Sequence, residues 1–412
     1  MLALATSAAA LRRGDRILVV DSAGNDCLEV IGASRVRHES HVPSFQSLER
    51  VLAAARAKHR DLGAQCVELE QPSRVWAASE LRHLKKQRLR EKDKIENVLA
   101  MMRRHPKQAR VRQLGTGNYG EVLLGRSEQH GLVAVKVVPH DDDESPSQLA
   151  REAALLTAVD GAPGFPTLIY HGTQEVLGRQ SDVLVLELLG PSLEDLIWKA
   201  TGGTRFSTAT VLRLGRELLC TLRALHAAGY VHNDLKPSNV LLGASGSGRE
   251  GTLHLVDFGI STRAGEAVPA GEIYGTPLFA SVAAHAGRPT TPMDDIESLC
   301  YCLAFLAAGS LPWERRPPER AAALKLGMLA HATDDAPGSS PLDPSSFLLT
   351  QDVPGADLRE ALRDVWSHVV ACRAAPGGEV DYAMCLKALG GEASATAVYD
   401  WERASEPIGD RS

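Results

Sequence analysis

The run Val231-His232-Asn233-Asp234-Leu235-Lys236-Pro237-Ser238-Asn239-Val240-Leu241-Leu242, followed downstream by Val256-Asp257-Phe258-Gly259, decides how this 412-residue chain is read. It sets a carboxylate, a lysine two residues on and an asparagine three further on just ahead of a β-type run. A second carboxylate comes eighteen residues after the asparagine. Phosphoryl transfer asks little covalent work of a protein; it needs an oriented nucleophile and neutralised phosphate charge. Asp234 suits accepting a hydroxyl proton, and Lys236 can reach the moving phosphoryl group. Asn239 and Asp257 are oxygen donors of the kind Mg2+ favours. Alone, each residue has an ordinary structural role: His232 as a buried hydrogen-bonding group, Asn239 as a cap, Asp257 in a turn. Their shared order and spacing is what points to chemistry.

Upstream lies Leu114-Gly115-Thr116-Gly117-Asn118-Tyr119-Gly120-Glu121-Val122. By itself this glycine pattern is ambiguous, because dinucleotide-binding folds use it to open a helix. Here Val122-Leu123-Leu124 continues as a strand, Gly131 turns the chain, and Leu132-Val133-Ala134-Val135-Lys136-Val137-Val138 returns. A glycine loop between two strands can lay backbone N–H groups on phosphates without side-chain obstruction. Lys136 then faces inward on an apolar strand, where a lysine is too costly to leave unpaired. Glu152, sixteen residues on in a helical stretch, is the expected partner.

These motifs resemble those of the protein kinase superfamily, over about Gln108 to Arg403. Finer features resemble the casein kinase I group, which includes the vaccinia-related and tau-tubulin kinases. They are the hinge-like Val185-Leu186-Glu187-Leu188-Leu189-Gly190-Pro191-Ser192-Leu193-Glu194-Asp195-Leu196, then Gly275-Thr276-Pro277-Leu278-Phe279-Ala280-Ser281 and Asp294-Asp295-Ile296-Glu297-Ser298-Leu299. Gly309-Ser310-Leu311-Pro312-Trp313, Asp381-Tyr382 and Tyr399-Asp400-Trp401 also match. The resemblance implies a bilobal α+β kinase fold: an antiparallel sheet with one helix in the small lobe (108–186) and a mainly helical large lobe (190–404). It implies a Ser/Thr protein kinase using ATP and Mg2+.

Residue by residue, the resemblance places Leu114, Gly115, Gly117 and Gly120 over the phosphates, and Val122, Ala134 and Leu241 around the adenine. Glu187 and Leu189 would offer it backbone groups, beside a gatekeeper Leu186. Lys136 and Glu152 would form the ion pair, Asp234 would act as base with Lys236, and Thr276 would help hold both. Asn239 and Asp257 would hold the metal, and Asp295 would anchor the catalytic loop from a buried helix.

Three departures alter these expectations. Asn233 stands where most kinases carry an Arg that pairs with a phosphorylated activation loop, so activation by loop phosphorylation is not expected. Leu278 replaces an Arg of the group's anion pocket, and Ala321-Ala322-Ala323-Leu324 thins the basic cluster, which puts preference for primed substrates in doubt. Ser261 to Gly271 is Gly/Ala-rich and is expected to be mobile. Two alternatives remain: a pseudokinase scaffold, against which the complete set of polar residues argues, and a small-molecule phosphotransferase, against which the hinge and Gly275–Ser281 argue.

The rest of the chain is less specific. Ile17–Val20 and Cys27–Ile31 flank turn chemistry and read as a small hairpin within an otherwise poorly defined segment, 1–43. Residues 44–105 read as a helical hairpin or short coiled coil, broken at Gln71-Pro72-Ser73. Its second half carries a basic face (Lys85, Lys86, Arg88, Arg90, Lys92, Lys94) that is expected to be solvated, with an acidic protein partner as the alternative. His331 to Pro354 reads as a long surface connection.

A net charge of −6 argues against a nucleic-acid coat or polybasic membrane binder. No apolar run reaches the ~18 residues a membrane helix needs, and Leu299–Ala308 reads as a core helix. Seven cysteines with no C-x-x-C fit reduced thiols, hence cytoplasm or nucleus. The acid-free Met1–Arg13 has transit-peptide composition, but a frayed terminus is the preferred reading.

Overall fold

The computed structural model describes residues 17–20, 26–31, 56–58, 87, 113–117, 120–139, 147–176, 179–202, 205–266, 274–331, 353–375, 378–390 and 398–403. Of the expected helical hairpin only residues 56–58 and 87 are among them, and these are helical. The basic face, most of the 331–354 connection and residues 267–273 lie outside the described residues. The chain divides into two compact units. One holds Arg12–Gly117 and Glu121–Val135; the other holds Met1–Leu11, Asn118–Gly120 and Lys136 onward.

The first unit is built on β1 (Ile17–Val20), β2 (Asp26–Ile31), β3 (Gln113–Gly117), β4 (Gly120–Ser127) and the first half of β5 (Gly131–Pro139). Strands β1 and β2 pair antiparallel, with Ile17 opposite Ile31 and Val20 opposite Asp26. Strand β1 also pairs antiparallel with β4, setting Ile17, Leu18 and Val19 opposite Ser127, Arg126 and Gly125. β3 takes a place on β4 as well. The hairpin near the N-terminus is therefore part of the sheet that carries the glycine motif. Ile17, Val19 and Val20 are fully buried. Gly125 is glycine for a packing reason: a Cβ there would sit 2.7 Å from a Val135 methyl and 3.0 Å from one of Val133.

In the second unit, α1 (Gln148–Ala158) is capped by Ser147, whose hydroxyl accepts from the Ala150 N–H. Its buried face is Leu149, Glu152, Ala153, Leu155 and Leu156. It packs on the antiparallel pair β6 (Leu168–Val176) and β7 (Arg179–Glu187). Strands β8 (Leu189–Ser192), β10 (Val240–Gly243) and β11 (Leu253–Leu255) form a small sheet, and β9 (Tyr230–Val231) pairs with β12 (Thr262–Arg263). The helices are α2 (Leu193–Thr201), α3 (Thr208–Ala227), α4 (Val282–His285), α5 (Pro292–Ala308), α6 (Pro318–His331), α7 (Ala356–Ala374), α8 (Tyr382–Ala388) and α9 (Asp400–Arg403).

Helix α5 is the axis of this unit and packs on both α3 and α7. Its start is fixed by Pro292 in the first turn and by a Thr291–Asp294 capping box, and Gly309 ends it in the left-handed region. Leu299 to Ala307 is buried except at Phe305, as expected of a core helix. Burying a large apolar side chain contributes about 1.5–3 kcal/mol, so this row alone matters greatly to a marginally stable fold. The same helix also buries Asp294, Asp295 and Glu297, and such buried acids require partners.

The start of the segment expected to be mobile is tied to a neighbouring strand. Thr262 and Arg263 pair with Val231 and Tyr230, which holds the start of Ser261–Gly271 against the strand before the catalytic loop.

Candidate active site

Lys136 lies in the second half of β5, where alternation on the strand turns its side chain inward. Its Nζ donates to both carboxylate oxygens of Glu152 at 2.9 Å and to Asp257 Oδ1 at 3.0 Å. Glu152 is almost wholly buried, at 1% exposure. Burial alone would lower the lysine's pKa, but Glu152 and Asp257 outweigh it and keep the ammonium protonated. Burial pushes Glu152 up, against the opposing pull of Lys136. Burial would also raise Asp257, yet Lys136, followed by His232 and Lys236, holds its carboxyl below the usual range. The field of Lys236 at Asp257 links the two halves of the polar set.

Asp234 is tied on both oxygens. Oδ1 accepts from the Thr276 N–H at 2.8 Å and its hydroxyl at 2.7 Å. Oδ2 accepts from Lys236 Nζ at 2.7 Å and Asn239 Nδ2 at 3.2 Å. Lys236 also donates to the Thr276 hydroxyl at 3.0 Å, and Asn239 Nδ2 to the Asp234 carbonyl at 2.9 Å. A carboxylate so held has one orientation, as an acceptor of a single incoming proton requires.

The loop carrying Asp234 is hung from α5. Asp295, fully buried, accepts from the backbone N–H groups of His232 at 2.7 Å and Asn233 at 3.0 Å, and it meets His226 Nε2 at 2.8 Å. The anchoring expected of Asp295 is therefore present. Asn233 and Asp257 both have positive φ, 70° and 66°. Asn and Asp tolerate that region best among residues with a Cβ. His232 sets its ring edge-on to Phe258 at 5.2 Å, and its Nε2 meets the Val256 carbonyl at 3.1 Å.

The remaining expected residues lie as follows. Gly115 and Gly117 are in β3, and Gly120 opens β4. Leu114 is exposed, while Val122, Ala134, Leu189 and Leu241 are half-buried. The Glu187 N–H is used by the Thr167 carbonyl, which leaves the Glu187 carbonyl as the group to offer a base edge. Its carboxylate is gripped by Arg249 at 2.9 and 3.1 Å and by the Thr167 N–H at 2.7 Å.

Several contributors had no sequence signal. Gln148 Nε2 donates to the Gly259 carbonyl at 2.8 Å, tying α1 to the residues after Asp257. A Cβ on Gly259 would lie 2.6 Å from that nitrogen, so any side chain there would displace the Gln148 amide from the Gly259 carbonyl. Arg249 was equally silent. Among the described residues no group of three or more His, Cys, Asp or Glu is arranged to hold a metal. The donor set that fits a hard cation is the mixed pair Asp257 and Asn239. The Asn239 amide nitrogen is committed to Asp234, which leaves its oxygen for that role.

Residues 109–344 match the family model described as the protein kinase domain. The match takes in more than half of the 412 residues, and the chain belongs to the protein kinase family. Its fold is the α+β kinase fold expected above. Helices α7, α8 and α9 follow the matched region yet pack on α5, α3 and α2. No helix among the described residues is long and apolar enough to cross a membrane.

Proposed function

We propose that this kinase moves the ATP γ-phosphoryl group onto Ser or Thr hydroxyls of proteins, with casein kinase I-like organisation and no need of a phosphorylated activation loop. One observation carries the reading: Asp234, Lys236 and Thr276 form a closed hydrogen-bonded set, and Lys136 joins Glu152 to Asp257 beside it. In the reaction the acceptor oxygen forms a bond to γ-phosphorus and the bond to the ADP oxygen breaks. The hydroxyl proton passes to the Asp234 carboxylate. Lys236 is placed to offset charge on the phosphoryl oxygens, and Lys136 to hold the nucleotide phosphates. Mg2+ supplies charge neutralisation when bound, with Asp257 and Asn239 as its protein ligands.

A lysine two residues after the base, bonded to the Thr276 hydroxyl, supports Ser/Thr over Tyr as acceptor. The glycines of β3 and β4, Val122, Ala134, Leu241, Glu187 and Leu189 are proposed to bind the nucleotide. Sparse cysteines support a cytoplasmic or nuclear setting.

The test is radiolabel transfer from Mg-ATP by the full chain to casein and a peptide library, beside small alcohols and aminoglycosides. Transfer to Ser/Thr peptides that Asp257→Ala abolishes, with the fold intact by circular dichroism, is expected. Equal transfer by the variant, or transfer only to small molecules, refutes the reading.

A further inference from the structure

Lys325 lies in α6 with 0% exposure. A buried ammonium ordinarily meets a carboxylate. Here its contacts among the described residues are different: the carbonyls of Pro277 at 2.9 Å and Ala280 at 2.7 Å, and His285 Nε2 at 3.2 Å. The faces of Tyr301 and Trp313 lie 4.8 and 5.2 Å away. The Trp313 indole N–H also donates to the Leu278 carbonyl at 2.8 Å. Three carbonyls of one short segment, Pro277, Leu278 and Ala280, are thus gripped by side chains from α6 and from the turn after α5. The segment's N–H groups turn the other way, with Phe279 and Ala280 donating to the Thr276 carbonyl at 2.9 and 2.8 Å. Thr276 in turn bonds Asp234.

We propose that Lys325 is a positioning residue: by holding the Pro277 and Ala280 carbonyls it fixes the segment along which the acceptor chain lies. The inference rests on Asp234 being the base of a protein kinase, because an acceptor hydroxyl at Asp234 puts its chain beside the residues after Thr276. Lys325 touches neither nucleotide nor hydroxyl. Its ammonium is spent inside the protein, on carbonyls and rings, and offers no charge to the acceptor.

The full-length chain with Lys325→Met, of similar length and without donors, tests this. Amide exchange over 275–285 should accelerate while exchange over 208–227 stays as in the wild type. The protein-acceptor KM should rise about tenfold, the order expected when the two hydrogen bonds to the Pro277 and Ala280 carbonyls go. The KM for ATP should hold. Unchanged exchange over 275–285, or equal changes in both KM values, overturns the proposal. Should Lys325→Met not fold, Trp313→Phe, which keeps an aromatic ring but removes the Leu278 donor and part of the buried ring packed on Tyr301, must show the same pattern at smaller size. A wild type that phosphorylates no protein defeats the proposed function instead, and the exchange experiment still decides whether Lys325 holds the segment.

Discussion

The side-chain amide of Asn233 donates to the Thr262 hydroxyl at 3.0 Å, and also to the Ile260 carbonyl at 3.0 Å. A neutral residue thus ties the catalytic loop directly to β12. Where most kinases carry Arg at this position, that Arg usually pairs with a phosphorylated activation loop. Phosphatase treatment of the purified chain should leave its initial rate within about twofold, since no new charge pair is lost. Asn233→Gly keeps the backbone angle but drops both bonds, and should lower the midpoint of thermal unfolding and the rate together. A strong loss after dephosphorylation of the wild type would show that the amide does not replace a phosphate.

Lys136→Met should abolish transfer and change how stability responds to pH. With Lys136 gone, the main offset to the burial that already pushes Glu152 up is lost, and only the weaker pull of the Phe258 backbone hydrogen bond is left against burial and the charge of Asp257. An acid whose folded pKa exceeds its unfolded value binds more protons folded than unfolded. Its contribution is full below the unfolded pKa and fades as pH rises through the folded one. The variant should therefore lose more stability than the wild type between pH 5 and pH 7.5, approaching the about 3–5 kcal/mol typical of a stranded buried charge. Thermal melts at the two values measure it.

For Lys325 the slope is reversed. Burial pushes its ammonium down to about 7, with Glu297 opposing. The unfolded chain keeps that proton to about pH 10.4. Between these values the unfolded state binds more protons, so wild-type stability relative to Lys325→Met should rise with pH by about 1 kcal/mol per unit. Of the groups facing it, His285 is pushed down to about 4 and Tyr301 is pushed up by burial, so neither titrates in the window near pH 8. A flat difference between pH 7 and 9 would contradict the assignment.

Asp400 clamps the start of α3. Its oxygens accept from the Ser207 N–H at 2.6 Å and hydroxyl at 2.7 Å, while its own N–H donates to Thr210 Oγ1 at 3.1 Å. Trp401 meets Phe206 at 5.4 Å beside it. Asp400→Ala should cost about 1–2 kcal/mol, the range for losing a capping acceptor. Denaturant melts should show it, with kcat/KM at low temperature unaltered.

Acceptor choice should be indifferent to upstream charge. Leu278 is half-buried and apolar, and the Lys325 amino group behind it is spent on the Pro277 and Ala280 carbonyls. A peptide array should therefore show no strong selection for acidic or phosphorylated residues before the acceptor. Strong selection would place a cation that Leu278 and Lys325 do not supply.

What the sequence reveals here tracks how local the cause is. Lys136, Glu152, Asp234, Asn239 and Asp257 are legible because their motifs fix both residue type and order, and the structure brings them together. The strand propensity of Ile17–Val20 is equally plain, but nothing local names β4 as its neighbour, more than a hundred residues away. Gln148 is one glutamine among many until α1 sets it against Gly259. Lys325 did leave a trace, a single charge in the apolar run Ala321-Ala322-Ala323-Leu324-Lys325-Leu326. Reading the four residues before it as a thinned basic patch missed the cation that turned inward.

The pairing of β1 with β4 has a practical outcome. A fragment trimmed to begin at residue 109, where the family-matched region begins, would lack Ile17–Val20. Gly125, Arg126 and Ser127 would then present bare amides and carbonyls along a rim that invites a second molecule. Precipitation of that shortened piece would report a missing border, not an inert enzyme.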